Sequence, residues 1–371
     1  MKNKILSNKL ITLIIISFLF NNNSIISLFS KYFQLYRGKI FINNCLKTTS
    51  FKLKMKIKKY IPKISIIIPV FNCEKSIKFS LASIQNQKFM EIEIILVNDF
   101  SQDNSKYIIE SMQKEDPRII IINNHKNLGT LYSRNIGAIY ANGNFIFCLD
   151  NDDMFIYDNI LFKLYNIAKK NNYDIIGFKA IRANNYNSKI HDMNDDPFIR
   201  NKKEKVVNQP NLKYLSITNN DCHIWGKCIK NEIYKKAISL LGLKRSNTYL
   251  CNAEDDVIVL ALFHVSKNFK FIPIYGIFHL ISNLTATNTL PKSHLLFSKL
   301  FFIDLLFDLS GNNYNEKKYV INNICIIKNY ILSKNLTFNR KNKKYLKRIL
   351  YKINSCLYIP QMNKTNINNM F

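Results

Sequence analysis

From residue 63 onward, short apolar runs alternate with longer amphipathic stretches, and this alternation restricts the fold more than any other feature of the sequence. The runs are β-branched or aromatic and are bounded by turn residues, which predicts buried strands. These strands are predicted at Ile64–Pro69, Ile92–Asn98, Arg118–Asn123 and Asn144–Asp150. The helices between them are predicted at Glu74–Gln87, Asn104–Lys114 and Thr130–Ala141. Such alternation indicates an α/β fold with a mainly parallel sheet flanked by helices.

The second half of the chain follows a different pattern. A helix at Asp158–Lys170 and a strand at Tyr173–Ile181 continue the alternation, which then gives way to a polar, irregular section. Beyond Lys292 the apolar spacing becomes helical. We therefore expect a basic and apolar N-terminal flank (1–61), one α/β domain (62–290) and a basic helical C-terminal region (291–371).

The positive charge is concentrated on the two flanks. Residues 1–73 carry 13 Lys or Arg and residues 317–371 carry 12, with no acidic residue in either segment. The flanks thus hold 25 of the 29 excess charges. Basic flanks suit an anionic surface. A membrane is favoured over nucleic acid, which we do not expect as a partner because no RNP, zinc-finger or KH signature accompanies the charge.

Two apolar segments support a membrane association. The run Leu10–Phe20 has the length of a signal-peptide core and is too short to cross a bilayer, so we expect a short anchor or an interfacial segment. The stretch Tyr345–Ile353 has the pattern of a basic amphipathic helix, which favours a membrane surface, and a helix packed on the protein's own core has nearly the same pattern. The eight cysteines show no CxxC pair, which favours the reducing, cytoplasmic face. A Golgi or ER lumen location through an N-terminal signal anchor stays open.

The most informative chemical motif is an acidic cluster that follows the fourth predicted strand. Asp150, Asp152 and Asp153 lie within four residues, and so many carboxylates repel one another unless a cation gathers them. Hard oxygen ligands select Mg²⁺ or Mn²⁺, which commonly bridge substrate phosphates. Ligands of open parallel sheets bind beyond the carboxyl ends of the strands. The cluster therefore predicts a metal-assisted diphosphate site. No GxGxxG, GxxxxGK[ST], GxSxG or HExxH motif occurs.

An ordered set of short motifs is similar to the family 2 glycosyltransferases. It covers roughly residues 64–290 and comprises Ser65–Asn72, Val97–Ser101, Asn127–Gly129, Arg134–Gly137, Leu149–Asp153, Trp225–Lys227 and Glu254–Asp255. The resemblance implies a GT-A fold and an inverting, metal-dependent transfer of a hexose from a nucleotide diphosphate, with UDP as the commonest base. It also implies a glycan or lipid-linked acceptor.

The resemblance assigns roles to individual residues. Pro69, Phe71 and Glu74 match the pocket of the nucleotide base, and Asp99 matches the carboxylate that accepts a hydrogen bond from it. Arg134 and Asp150 match nucleotide contacts. Asp152 matches a donor-sugar and metal contact, and Asp153 the metal ligand. Asp255 matches the general base, with Glu254 beside it as a second catalytic candidate. Trp225 matches the border of the acceptor site.

Three departures and three alternatives stay open. Asn98 and Phe100 replace the first Asp and the Gly of the family's DDGS turn, and Phe71 replaces the commoner Tyr. The change from Gly to Phe puts the shape of the turn in doubt. A nucleotidyltransferase on a similar fold, a glycosidase using Asp255 and one acid of the cluster, and a non-catalytic sugar-nucleotide-binding relative remain possible functions.

Overall fold

The first four predicted strands lie side by side and parallel. The computed structural model describes residues 61–183, 194–195, 205–208, 223–246, 249–250, 254–280, 292–309 and 349. The strands are β1 (Ile64–Val70), β2 (Ile92–Asn98), β3 (Ile119–Asn123) and β4 (Phe145–Cys148). They run in the order β3-β2-β1-β4, and every neighbouring pair is parallel. Each matches its prediction to within two residues at either end, and their carboxyl ends share one edge of the sheet.

The helices between these strands also match the predictions. They are α1 (Ile77–Gln85), α2 (Ser105–Glu115), α3 (Thr130–Tyr140) and α4 (Ile160–Asn171). The start of α1 differs most, because the prediction began it at Glu74. The backbone N–H groups of Cys73 and Glu74 instead donate to Ser105 Oγ at 2.7 Å and to Asp103 Oδ2 at 3.0 Å. These bonds hold the chain in a loop before the helix begins.

The second half of the sheet mixes strand directions. Its strands are β5 (Met154–Phe155), β6 (Ile175–Ala183), β7 (Asn194–Asp195), β8 (Lys205–Asn208), β9 (Lys227–Lys230) and β10 (Asn268–Leu280). The short β9 lies antiparallel between β4 and β6, while β10 runs parallel to β6. The full order is β3-β2-β1-β4-β9-β6-β10-β5, with β7 beside β6 and β8 beside β10. The expected mixed, mainly parallel α/β sheet is confirmed.

The remaining helices are α5 (Asn231–Ser246), α6 (Glu254–Val265) and α7 (Lys292–Leu309). Within α6 every residue from Val257 to Phe263 is buried, so the helix is fixed in the core and its acidic first turn is held firmly. Close packing also holds α3 on the sheet. A side chain at Gly137 would place its Cβ 2.5 Å from Ile67, so only glycine fits there.

The flanks and the basic C-terminal helix lie almost wholly outside the described residues. This applies to Leu10–Phe20 and to all of Tyr345–Ile353 except Ile349, which is helical and buried. The start of the predicted helical C-terminal region is visible as α7. Among the helices in the described ranges, none combines the length and apolarity that crossing a bilayer requires. The boundaries 1–61, 62–290 and 291–371 stay predictions.

A buried carboxylate, Glu93 on β2, ties the sheet to the turn that joins α3 and β4. Its Oε1 accepts hydrogen bonds from Ser65 Oγ at 2.6 Å and from the backbone N–H groups of Asn142 at 2.6 Å and Gly143 at 3.2 Å. The side chain is only 5% exposed. Because Glu93→Ala removes the acceptor of the buried Ser65 hydroxyl and breaks the bonds to the turn, we expect the free energy of unfolding to fall by roughly 2–4 kcal/mol in urea denaturation.

Glu91 provides the matched control for this prediction. It lies two residues away, its side chain is 46% exposed, and it pairs with Lys63 at the surface. Glu91→Ala should cost less than about 1 kcal/mol. Equal losses in the two variants would show that the Glu93 network does not hold the turn.

Candidate active site

The residues assigned to the nucleotide base follow β1 and β2, whose carboxyl ends are adjacent. The rings of Phe71 and Phe100 are 42% and 47% exposed at this edge. Glu74 is held by Asn104, whose backbone and side-chain amides donate to Glu74 Oε2 at 3.0 and 2.9 Å. Pro69 lies at the end of β1, where its carbonyl accepts a bond from Asn151 Nδ2 at 3.0 Å. Two exposed aromatic residues that follow neighbouring strands offer a surface for stacking a nucleotide base.

The two departures in the turn after β2 have a physical explanation. Asn98 Oδ1 accepts a hydrogen bond from Ser101 N–H at 3.1 Å, as an aspartate would, and its Nδ2 donates to Asn123 Oδ1 at 2.9 Å. Phe100 has φ 65°, the left-handed conformation in which the family's glycine is unstrained. The turn thus keeps a conformation that suits glycine although a phenylalanine occupies it. Phe100 is a site residue that sequence reasoning did not assign.

Asp99 connects this turn to the loop before α3. Its carboxylate accepts hydrogen bonds from Leu128 N–H at 2.8 Å, Gly129 N–H at 2.7 Å and Asn124 Nδ2 at 2.8 Å, and the residue is 3% exposed. Asp99 therefore positions the Asn127–Gly129 loop. Its contact with a nucleotide base stays a prediction.

The acidic cluster lies beyond the end of β4. Asp153 is fully buried, and its Oδ1 accepts a hydrogen bond from Leu280 N–H at 3.1 Å. His279 Nδ1 lies 3.3 Å from the same oxygen. Burial, together with the charges of Asp153 and Asp150, raises the pKa of Asp152 to about 7. Burial raises the pKa of Asp153 to about 6, although the hydrogen bond and charge of His279 lower it.

These pKa values are raised mainly by burial, so the site disfavours negative charge on Asp152 and Asp153. Within the described ranges, no three His, Cys, Asp or Glu side chains are gathered into a ready-made metal site. A Mg²⁺ or Mn²⁺ ion usually takes one or two protein carboxylates and completes its shell with water and phosphate oxygens. Asp152 and Asp153 fit that pattern, and His279 lies directly beside Asp153.

Arg134 links the acidic cluster to Asp255, the residue assigned as the general base. Its side chain is 3% exposed, and its Nη2 donates to Asp150 Oδ1 at 2.6 Å. Its Nη1 donates to Asp255 Oδ1. Asp255 Oδ2 accepts a hydrogen bond from the backbone N–H of Ile224 at 3.1 Å. The structure thus brings Arg134, Asp150 and Asp255 into direct contact, with Glu254 in the same helical turn as Asp255.

A comparison with known protein families agrees with the geometry of the site. Residues 65–228 match the sequence model of the family described as Glycosyl transferase family 2. This segment, less than half of the chain, belongs with the family 2 glycosyltransferases. The match includes the assigned nucleotide and acidic-cluster residues, while Asp255 and Glu254 lie beyond its end.

Curated relatives of this transferase domain are similar over part of their length. A Campylobacter jejuni protein named GalNAc(5)-diNAcBac-PP-undecaprenol beta-1,3-glucosyltransferase is 39% identical over 93 residues, which are 25% of this chain and 30% of the relative. An Escherichia coli protein named UDP-Glc:alpha-D-GlcNAc-diphosphoundecaprenol beta-1,3-glucosyltransferase WfgD is 32% identical over 124 residues, 32% of this chain and 48% of the relative. The chain therefore spans less than half the length of either.

A solved structure confirms the fold. Staphylococcus aureus TarS residues 1–349, crystallised with UDP-GlcNAc, superposes with a TM-score of 0.53 over 72% of this chain and 71% of TarS, at 16% sequence identity. The expected GT-A architecture of the transferase domain is thereby shown.

Trp225 is less open than its assigned role suggests. The residue is 4% exposed, and its indole is stacked between His223 at 4.8 Å and His279 at 5.1 Å, measured between ring centroids. With both faces covered by imidazoles, the ring cannot stack on a sugar in this conformation. A role at the border of the acceptor site stays a prediction, and it would use the indole edge or the flanking histidines. Sequence spacing gave no sign of this stack.

Glu254 makes the stability of the transferase domain depend on pH. Burial, reinforced by the charge of Asp255, raises its pKa to about 7 from an ordinary 4.5. The folded state therefore holds a proton that the unfolded state releases between these values, and stability falls as pH rises from 4.5 to 7. Glu254→Gln cannot ionise. We expect its melting temperature, relative to wild type, to be higher at pH 8 than at pH 5.

The measurement is a series of thermal melts of both proteins between pH 5 and pH 8. Asp152 and Asp153 contribute the same pH trend to both proteins. Only the difference in melting temperature between wild type and Glu254→Gln therefore reports on Glu254. A difference that does not change with pH would contradict the raised pKa of Glu254.

Proposed function

We propose that this chain is an inverting, metal-dependent glycosyltransferase that moves a hexose from a UDP-sugar to an acceptor hydroxyl, with Asp255 as the general base. The observation that carries the proposal is the position of Asp255. It stands apart from the acidic cluster after β4 yet is joined to it through Arg134. A site with a carboxylate for the acceptor next to a cluster for the diphosphate suits transfer by single displacement.

The names of similar proteins support the choice of donor. The Escherichia coli relative is named for UDP-Glc, and the TarS structure holds UDP-GlcNAc. In this chain the rings of Phe71 and Phe100 would stack the base, and the fixed Glu74 would orient it. These residues lie at the same sheet edge as the acidic cluster, so one donor molecule can span both.

The residues of this chain divide the chemistry between them. Asp152 and Asp153 would hold a Mg²⁺ or Mn²⁺ ion, which stabilises the charge on a departing diphosphate. Asp255 takes the proton from the acceptor hydroxyl as that oxygen attacks the anomeric carbon, and the bond to the diphosphate breaks on the opposite side. One displacement inverts the configuration, so no covalent sugar–enzyme intermediate is needed.

A nucleotide-induced thermal shift separates this function from the glycosidase and nucleotidyltransferase alternatives. The melting temperature of the full-length protein should rise with UDP and Mn²⁺, because a ligand that binds only the folded state stabilises it. A glycosidase needs no nucleotide and would show no shift. A nucleotidyltransferase would respond to a nucleoside triphosphate together with a sugar phosphate.

We further propose a lipid-linked acceptor at a membrane, with the cytoplasmic face favoured. Two relatives are named for undecaprenol-diphosphate acceptors. The excess charge of the flanks would place cations near anionic headgroups, each contributing about 1 kcal/mol. The described cysteines Cys73, Cys148 and Cys228 are buried and free, which suits a reducing compartment.

We expect the full-length protein to sediment with anionic vesicles at low salt and to be released at high salt, because screening weakens the attraction of surface charges. Neutral vesicles serve as the control and should bind much less. Protein that stays in the supernatant with anionic vesicles at low salt would rule out this attachment and leave the flanks as solvated tails.

A further inference from the structure

A single buried side chain, Arg134, joins three separate elements of the site. It lies in the first turns of α3, Asp150 lies just after β4, and Asp255 lies in the first turn of α6. The guanidinium is fully enclosed and donates one hydrogen bond to each carboxylate. Asp255 is 121 positions from Arg134 in the sequence, so only the fold brings them together.

The contacts fix the orientation of Asp255. Its Oδ1 is bound by Arg134, and its Oδ2 accepts the N–H of Ile224 at 3.1 Å. A carboxylate held on both oxygens by donors from different elements cannot rotate about its side-chain bonds. Each oxygen still has a free lone pair with which to accept a proton.

From this geometry, and resting on the proposed function, we infer that Arg134 is a positioning residue for the general base rather than a nucleotide contact. It aims the Asp255 carboxylate and ties it to Asp150 on the donor side of the site.

The electrostatics of the site support this role. Burial by itself lowers the pKa of Arg134, but the charges of Asp255 and Asp150 raise it well above its usual value. The cation is thus retained and committed to the two carboxylates. A buried ion pair that loses one partner leaves an uncompensated charge, which is strongly unfavourable. Arg134 therefore cannot be exchanged for a neutral residue without disturbing Asp255.

A nucleotide contact through the same guanidinium would need a rearrangement. Its Nη1 and Nη2 each donate one hydrogen bond to a carboxylate, and Nε is buried with no hydrogen-bond partner among the residues that the structure describes. Each Nη keeps a second N–H, but the side chain is only 3% exposed, so a phosphate or ribose could reach the guanidinium only if the residues around it moved. The observed contacts therefore favour positioning of the general base, Asp255, over a nucleotide contact.

The test compares Arg134→Met and Arg134→Lys with wild type in steady-state transfer from a UDP-sugar. We expect Arg134→Met to lower kcat roughly 100-fold, the size of effect that misplacement of a catalytic group produces. The KM for the donor should change less than about threefold, because little ground-state binding is lost. Arg134→Lys keeps the charge and one hydrogen bond, so it should recover about tenfold of the lost kcat.

Arg118→Met is the matched control. Arg118 also pairs with an aspartate, Asp116, at 2.8 Å with a side chain only 13% exposed, but it lies before β3 and away from the site. This variant should melt at a lower temperature yet keep the kcat of wild type. The double variant Arg134→Met with Asp255→Asn should melt above Arg134→Met alone, since it no longer buries the unpaired Asp255 charge.

Three results would overturn the inference. The first is a raised donor KM with unchanged kcat in Arg134→Met, which indicates a nucleotide contact. The second is no recovery of kcat in Arg134→Lys, and the third is a double variant no more stable than Arg134→Met. Wild-type protein that transfers nothing contradicts the proposed function instead, and the inference then falls with it.

Discussion

Asp255→Asn is expected to lower transfer by about 10²–10⁴-fold while leaving UDP affinity within about threefold of wild type, since general-base catalysis contributes rate enhancement of that size. The amide keeps the shape of the side chain and can still accept the bond from Ile224 N–H. It cannot accept the proton of the acceptor hydroxyl. A base acts mainly in the transition state, so the loss should appear in kcat and much less in binding.

The measurement is steady-state transfer together with calorimetric titration of UDP. Asp158→Asn is the control, because this aspartate is 46% exposed, pairs with Lys88 and lies outside the site. It should behave as wild type in both assays. Turnover of Asp255→Asn within threefold of wild type would move the base elsewhere, with Glu254 and Asp256 in the same turn as the next candidates.

The second large effect concerns the acidic cluster. We expect UDP to bind only with Mg²⁺ or Mn²⁺ present, and Asp153→Asn to weaken that binding by about tenfold or more. The reason is that Asp150, Asp152 and Asp153 together repel a diphosphate unless a cation lies between them. Burial raises the pKa of Asp152 and of Asp153, so the site disfavours further negative charge.

Calorimetric titration of UDP with metal, with chelator and with Asp153→Asn decides this point. Asp153→Asn should not melt below wild type, because burial raises the pKa of Asp153 and so disfavours its charged form. A loss of affinity then reports on the metal and not on unfolding. Equal UDP affinity under all three conditions would show that the metal plays no part in binding.

The strands β1 to β4 and the helices α1 to α4 could be predicted because each has a local cause. Runs such as Ile64–Val70 are buried along their whole length, and the amphipathic stretches between them have helical spacing. A parallel sheet then requires the carboxyl ends of its strands to share one edge. The order of the motifs along the chain is therefore enough to predict that Phe71, Asp99 and Asp150 lie near one another.

What the sequence did not predict depends on contacts between distant residues. The four residues of β9 carry no pattern of their own and form a strand because β4 and β6 flank them. The bond between Arg134 and Asp255 and the stack of Trp225 between His223 and His279 join positions far apart in the chain. Periodicity reports only on neighbours within one element. The family resemblance supplied residue roles but no contacts between them.

The central claim is that this domain transfers a sugar from a nucleotide diphosphate, and nucleotide release tests it most directly. Full-length protein is incubated with Mn²⁺, a polyprenyl-diphosphate-linked sugar as acceptor, and UDP-, GDP- or CMP-sugars in separate reactions, with Asp255→Asn in parallel. We predict that wild type releases UDP faster than Asp255→Asn by about 10²-fold or more. The claim would be contradicted if wild type released nucleotide no faster than Asp255→Asn with any of the donors.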